Sequence, residues 1–149
     1  MKLQTEIMIN ASVSTVWQIL TNFEAYPTWN PFIKSIKGEA KEGAILENVI
    51  HPEGGKAQTF KPTVLKSIPN QEFRWLGRLF VKGLFDGEHY FILEKVNENT
   101  TRFIHGENFS GILVNILMGM MKEQIQTSFE KMNQALKRKA EHVTAFVNI

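Results

Sequence analysis

The chain has 149 residues, 43% apolar and 21% charged, with a formal net charge of +2. That length suits one domain over residues 1–149, and the lack of a basic block argues against nucleic acid as a partner. With no cysteine present, disulfides and thiol chemistry are excluded.

In chain order, Leu3, Thr5, Ile7 and Ile9 share one parity and Gln4, Glu6 and Asn10 the other, which predicts a half-buried strand. This N-terminal alternation has no long apolar run of the kind a signal peptide carries, and a cytoplasmic location is expected. Asn10 to Ser14 offers helix N-caps, and Val16, Trp17, Ile19 and Leu20 follow at helical spacing. The stretch YPTWNPFIKSIKG, Tyr26 to Gly38, comes next. Pro27 and Pro31 allow only a short helical turn and enforce a corner.

Strands are then predicted over Ile33–Lys37, Ala44–Ile50, Gln58–Leu65, Glu72–Gly77, Phe85–Val96 and Thr100–Phe109. Pro62 marks an edge or a bulge in the third of these. The segment Leu79 to Phe85 is apolar where a connection is normally polar, which suits a pocket mouth or lid. After Gly111 the pattern turns helical. Leu113, Leu117, Met121, Ile125, Phe129, Met132 and Leu136 form a stripe within a helix over Asn115–Glu141, about 40 Å long. Its longest apolar run, Ile112 to Met121, is interrupted by Asn115 and Gly119 and is too short to span a bilayer, so no stable membrane insertion is expected. Lys137-Arg138-Lys139 closes the pattern, where cations favour the helix dipole. The tail, residues 142–149, shows no periodicity.

One long helix must bury its stripe on a sheet. A bent sheet around one helix packs incompletely, and the resulting cavity is where ligands bind. The expected class is α+β: a curved antiparallel sheet of six or seven strands around one long C-terminal helix, with two short helices after the first strand.

Four stretches in this order carry a resemblance: Ile9–Ile33, Gly83–Leu93, Thr101–Gly111 and Phe129–Glu141. Together they resemble the START-like superfamily, also called SRPBCC or helix-grip proteins, in its polyketide cyclase/dehydrase-like branch. The resemblance covers residues 3 to 141 and implies a helix-grip fold with a deep apolar pocket. The superfamily holds carriers, receptors, cyclases and chaperone activators, so fold analogy alone selects no activity.

The last hairpin holds the residues suited to chemistry. Phe85, Gly87, His89, Phe91 and Leu93 share the inward parity of one strand, and Thr101, Phe103, His105, Glu107 and Phe109 that of its partner. A loop at Asn97–Asn99 sets His89 opposite Glu107 and Phe91 opposite His105. A carboxylate beside imidazoles suits acid–base work, and His89, His105 and Glu107 are the catalytic candidates if there is a reaction. The blander reading is that they satisfy one another in the pocket wall. No HExxH-like spacing or phosphate-binding glycine loop occurs, so no metal or cofactor is expected.

Ligand contacts are expected from Tyr26, Trp29 and Phe32 at the corner, with Tyr26 at the cavity rim and the other two anchoring the short helix. Phe60, Phe73 and Trp75 join them from the middle strands, and Phe85, His89, Phe91, Phe103, His105 and Glu107 from the hairpin. Leu113, Leu117, Met121 and Ile125 complete the wall from the helix. The expected function is binding or carrying an apolar small molecule such as a lipid, isoprenoid, polyketide or aromatic metabolite. A cyclase, dehydratase or hydrolase using the same cavity without a covalent intermediate is the alternative, and a chaperone-activator-like interaction module the second. A protein partner and the oligomeric state stay open at this level.

Overall fold

The computed structural model describes residues 1–147. Strand β1 (Lys2–Ile9) leads into helix α1 (Val13–Thr21), whose N-cap Ser12 accepts a hydrogen bond from the Thr15 amide at 3.1 Å. A 3₁₀ turn (Phe23–Ala25) and the one-turn helix α2 (Tyr26–Trp29) follow. Pro27 is tolerated there because it occupies the start of α2, where its missing N–H removes no helical bond.

The strands are β2 (Ile33–Lys37), β3 (Glu47–Ile50), β4 (Gln58–Phe60), β5 (Thr63–Ile68), β6 (Glu72–Leu79), β7 (Phe85–Asn97) and β8 (Thr100–Ser110). Helix α3 (Val114–Val147) closes the described chain. With β1 the described residues form eight strands rather than six or seven, in a five-stranded sheet ordered β1-β8-β7-β6-β5 and a three-stranded sheet ordered β2-β3-β4. The extra strand comes from Pro62. The predicted strand Gln58–Leu65 breaks at Lys61-Pro62, so β4 pairs with β3 while β5 pairs with β6. Proline has no N–H for the ladder, and its carbonyl instead accepts from the Leu46 amide at 2.9 Å. The predicted strand over 44–50 is shortened to β3, with Ile45 meeting Thr63 in an isolated bridge.

The β7–β8 register sets His89 opposite Glu107 and Phe91 opposite His105, the facing pairs expected from a loop at Asn97–Asn99. The connection differs from the one expected. Asn97 pairs with Thr100, and an irregularity between Lys95 and Asn97 takes up the extra residue. A two-residue turn plus one bulged residue gives the same facing pairs as a three-residue loop.

α3 spans 34 residues, about 51 Å. It continues past Glu141, with Thr144 Oγ1 donating to the Ala140 carbonyl and His142 packing edge-on to Phe146 at 4.8 Å. The tail lacked an apolar stripe because this end buries little: Phe146 is exposed. Residues 148–149 of the predicted tail lie outside the described residues. The buried face of α3 also begins differently from the predicted stripe. Val114 and Met118 are buried, whereas Leu113, Leu117 and Met121 are half-buried beside them. Residues spaced by four drift about 40° around a helix at each step, so such a row cannot stay on one line. From Ile125 onward, Phe129, Met132 and Leu136 hold the core as predicted. No described helix is long and apolar enough to cross a membrane.

Candidate functional site

A cavity of about 160 Å³ lies where the two sheets and α3 meet. Phe32, Asn48, Ile50, Gln58 and Phe60 border it from the β2–β4 side, with Pro52, Gly55 and Lys56 from the β3–β4 loop and Pro62 after β4. β6 to β8 supply Trp75, Gly77, Arg78, Leu79, Phe85, Gly87, His89, Glu107 and Phe109. α3 supplies Met121, Gln124 and Ile125. The β3–β4 loop is fastened to α3, since the Glu53 amide donates to Ser128 Oγ at 2.8 Å and Lys131 pairs with the Glu53 carboxylate at 2.7 Å.

Glycine makes room in the wall. Gly77 and Gly87 face each other across β6 and β7. A Cβ on Gly87 would lie 2.1 Å from Glu107 Oε1, so the carboxylate occupies space that only glycine leaves open.

A continuous chain of hydrogen bonds runs from Glu107 to β1. Glu107 Oε2 meets His89 Nδ1 at 3.1 Å, and His89 Nε2 meets His105 Nε2 at 2.8 Å. His105 Nδ1 meets Asn133 Oδ1 at 2.8 Å, and Asn133 Nδ2 donates to Thr5 Oγ1 at 2.8 Å. Thr5 Oγ1 donates in turn to the His105 carbonyl at 3.1 Å. Aromatic faces hold both imidazoles: Trp75 stacks on His89 at 4.9 Å and Phe129 on His105 at 4.1 Å.

The directions of these bonds assign the protons. A carbonyl only accepts, so the Thr5 hydroxyl gives its proton to the His105 carbonyl and accepts from the Asn133 amide nitrogen. That turns Asn133 Oδ1 toward His105, whose Nδ1 must donate. Burial, reinforced by the neighbouring His89, pushes the His105 pKa well below its ordinary value of 6.5. His105 is therefore neutral and its Nε2 carries a lone pair, to which His89 Nε2 donates. His89 Nδ1 is left facing Glu107, and one proton lies between them. The pair is either imidazolium with carboxylate or neutral imidazole with carboxylic acid. One movable proton at a cavity wall is what general acid–base chemistry uses.

Residues 1–141 match the family model described as polyketide cyclase / dehydrase and lipid transport. The chain belongs to this family. Among solved structures it is similar to a START superfamily protein from Mycobacterium smegmatis, with 20% identity, TM-score 0.77, and 95% of this chain and 98% of that chain covered. It is similar to the Zhui aromatase/cyclase from Streptomyces sp. R1128, with 12% identity, TM-score 0.76, and 95% and 93% covered. A Thalictrum flavum norcoclaurine synthase point mutant in complex with a transition-state analogue is similar at 10% identity, TM-score 0.73, with 97% and 96% covered. At these identities the likeness establishes the fold, which is the helix-grip arrangement of the START-like proteins. No curated protein sequence matches the chain. Family and fold together support a ligand-binding or cyclase-type role.

In this polyketide cyclase/dehydrase family member, eight of the residues expected in the wall border the cavity: Phe32, Phe60, Trp75, Phe85, His89, Glu107, Met121 and Ile125. Phe73, Phe91, Phe103 and His105 share the inward face but lie in the solid core behind the wall. Leu113 and Leu117 flank the start of α3 without reaching the cavity. Tyr26 is not at the rim. It is fully buried, with its hydroxyl donating to the Leu20 carbonyl, so the polar tip is satisfied inside the corner. Trp29 packs edge-on to Tyr26 at 5.1 Å and borders a shallow cleft with Ala135, Arg138, Lys139 and His142. Within the segment Leu79 to Phe85, the two end residues border the cavity, whereas Phe80 and Val81 are exposed.

Asn48 and Asn133 are absent from the residues expected above, and Gly87 appears there only for its inward parity, not as part of the site. The signal for Asn48 is its parity with Leu46 and Ile50, and for Asn133 its place on the buried face after Phe129. Gly87→Ala is expected to leave the fold intact, because the clash falls on the far end of a flexible side chain. The carboxylate should swing off His89, and nitrogen NMR of the imidazole should register the loss. An unchanged His89 spectrum in a folded variant would rule out this role for the glycine.

Proposed function

We propose that the chain binds a compact, largely apolar small molecule in this cavity, with Glu107 and His89 against its polar group. The observation that carries the reading is a half-buried carboxylate paired with a buried imidazole, set in a wall otherwise dominated by Phe32, Phe60, Trp75, Phe85, Phe109, Met121 and Ile125. Apolar walls supply affinity, and a few placed polar groups fix orientation. The volume of about 160 Å³ favours a one- or two-ring system over a long acyl chain; an engineered apolar cavity of about 150 Å³ holds benzene. The ligand contacts proposed are those predicted residues that border the cavity. A protein-interaction role goes better with a filled interior.

Catalysis is the second reading, and the 3.1 Å contact between the Glu107 carboxyl group and the His89 imidazole at the cavity wall is the observation that favours it. Such a pair can deliver a proton to a carbonyl oxygen or remove one from a neighbouring carbon. Two structural neighbours, an aromatase/cyclase and a synthase bound to a transition-state analogue, are consistent with this fold hosting reactions.

Native mass spectrometry of freshly purified protein, with extraction of any retained small molecule, tests the first reading. A protein that is empty and takes up no member of an aromatic and lipid panel would overturn it. Glu107→Gln separates the two readings, because the amide keeps the shape but not the acid–base function. An enzyme is expected to lose about 10²–10⁴-fold in turnover with affinity retained. A carrier has no turnover to lose.

A further inference from the structure

Among the described residues, five buried side-chain nitrogen or oxygen atoms have no hydrogen-bond partner in the protein. Two of them are the two ends of one side chain, Asn48 Nδ2 and Oδ1. Asn30 offers the contrast. Its Nδ2 is also unpartnered, but its Oδ1 accepts from the Phe32 and Ile33 amides at 2.9 and 2.8 Å, so it holds the corner before β2. Asn48 holds nothing. It is fully buried in the middle of the small sheet, opposite Ile36 on one side and Phe60 on the other, and it borders the cavity.

Asparagine suits strands poorly, and a buried amide with neither end bonded destabilises the fold. Leucine has the same branched shape and would carry no such penalty. The amide makes physical sense if the occupant of the cavity meets it.

We infer that Asn48 is the ligand's second polar contact, on the wall contributed by the β2–β4 sheet, while Glu107 and His89 present the first from the other sheet. A primary amide shows a donor and an acceptor side by side. Its complement is a group with an acceptor beside a donor: a primary amide, a lactam, or a carbonyl next to a hydroxyl. The ligand is therefore a ring compound carrying such a pair, not a hydrocarbon or a bare acyl chain. A site built to hydrogen-bond a polar group rejects the analogue that lacks it, because the protein amide is then stranded. This inference rests on the cavity being the ligand site.

The test compares Asn48→Leu with wild type, using benzamide and toluene as probes in titration calorimetry. The substitution is expected to weaken benzamide about tenfold or more, the loss of one to two net hydrogen bonds. Toluene should bind the variant as well as it binds wild type, or more tightly. The empty variant should melt higher by about 2–4 °C, since an unmet amide is replaced by packed hydrocarbon. Equal effects on the two probes, or none on either, would overturn the inference while leaving the cavity reading intact. A variant that melts lower or does not fold would mark the amide as structural and overturn it too. Failure of both probes to bind wild type would remove the cavity reading and this inference with it.

Discussion

Phe129→Ala is expected to cost about 3–5 kcal/mol of folding stability, the range for truncating a buried phenylalanine. Phe129 is fully buried on α3 and meets both imidazoles and the corner phenylalanine. Its ring stacks on His105 at 4.1 Å, meets His89 edge-on at 5.2 Å and packs against Phe32 at 5.6 Å. Truncation loses the transfer free energy of the ring and leaves a void between two sheets and a helix that are joined to other elements and cannot collapse freely. At about 2–4 °C per kcal/mol for a chain of this size, the melting temperature should fall by about 10 °C. Both imidazoles would lose an aromatic support, so ligand affinity should fall with stability. Denaturant unfolding of the two proteins measures the effect. A loss below about 1.5 kcal/mol would mean that the helix closes over the gap, and that Phe129 is not the support described here.

Acidification is expected to weaken the fold through His105. Burial and the adjacent His89 hold its pKa well below the ordinary 6.5, so the folded state keeps this ring neutral while the unfolded state protonates it. The sign follows from proton counting. Above about pH 6.5 neither state binds the proton and the full stability is present. Below it the unfolded chain binds one more proton than the folded chain, and stability falls by about 1.4 kcal/mol per pH unit until the folded-state pKa is reached. Protonation would also put a proton where His105 Nε2 now accepts from His89, setting donor against donor at 2.8 Å. The bond chain from Glu107 to Thr5 should then open, and any function that uses the Glu107–His89 proton should fail with it. An NMR titration of the imidazoles beside denaturation curves at pH 7.5 and 5 tests this. A His105 resonance that titrates near 6.5 in the folded protein would sink the argument.

The sequence by itself determined the order of the elements, the hairpin that sets His89 against Glu107, and the family to which the four stretches point. These are local facts. Strand parity has a period of two, turns are written in a few residues, and the antiparallel hairpin converts both into facing pairs across a short gap in sequence. Parity could place Phe91, Phe103 and His105 inward, but not say that they lie behind the wall while His89 and Glu107 border the void. That depends on how the sheets curve and how α3 lies across them. The tertiary structure also decided that Tyr26 spends its hydroxyl on Leu20, and that Asn133, 28 residues from His105, orients the imidazole. It left Asn48 bordering the cavity with no protein partner. Each of these is a question of which polar atom meets which across the fold, and the answer depends on packing between segments far apart in the chain, which no local pattern encodes.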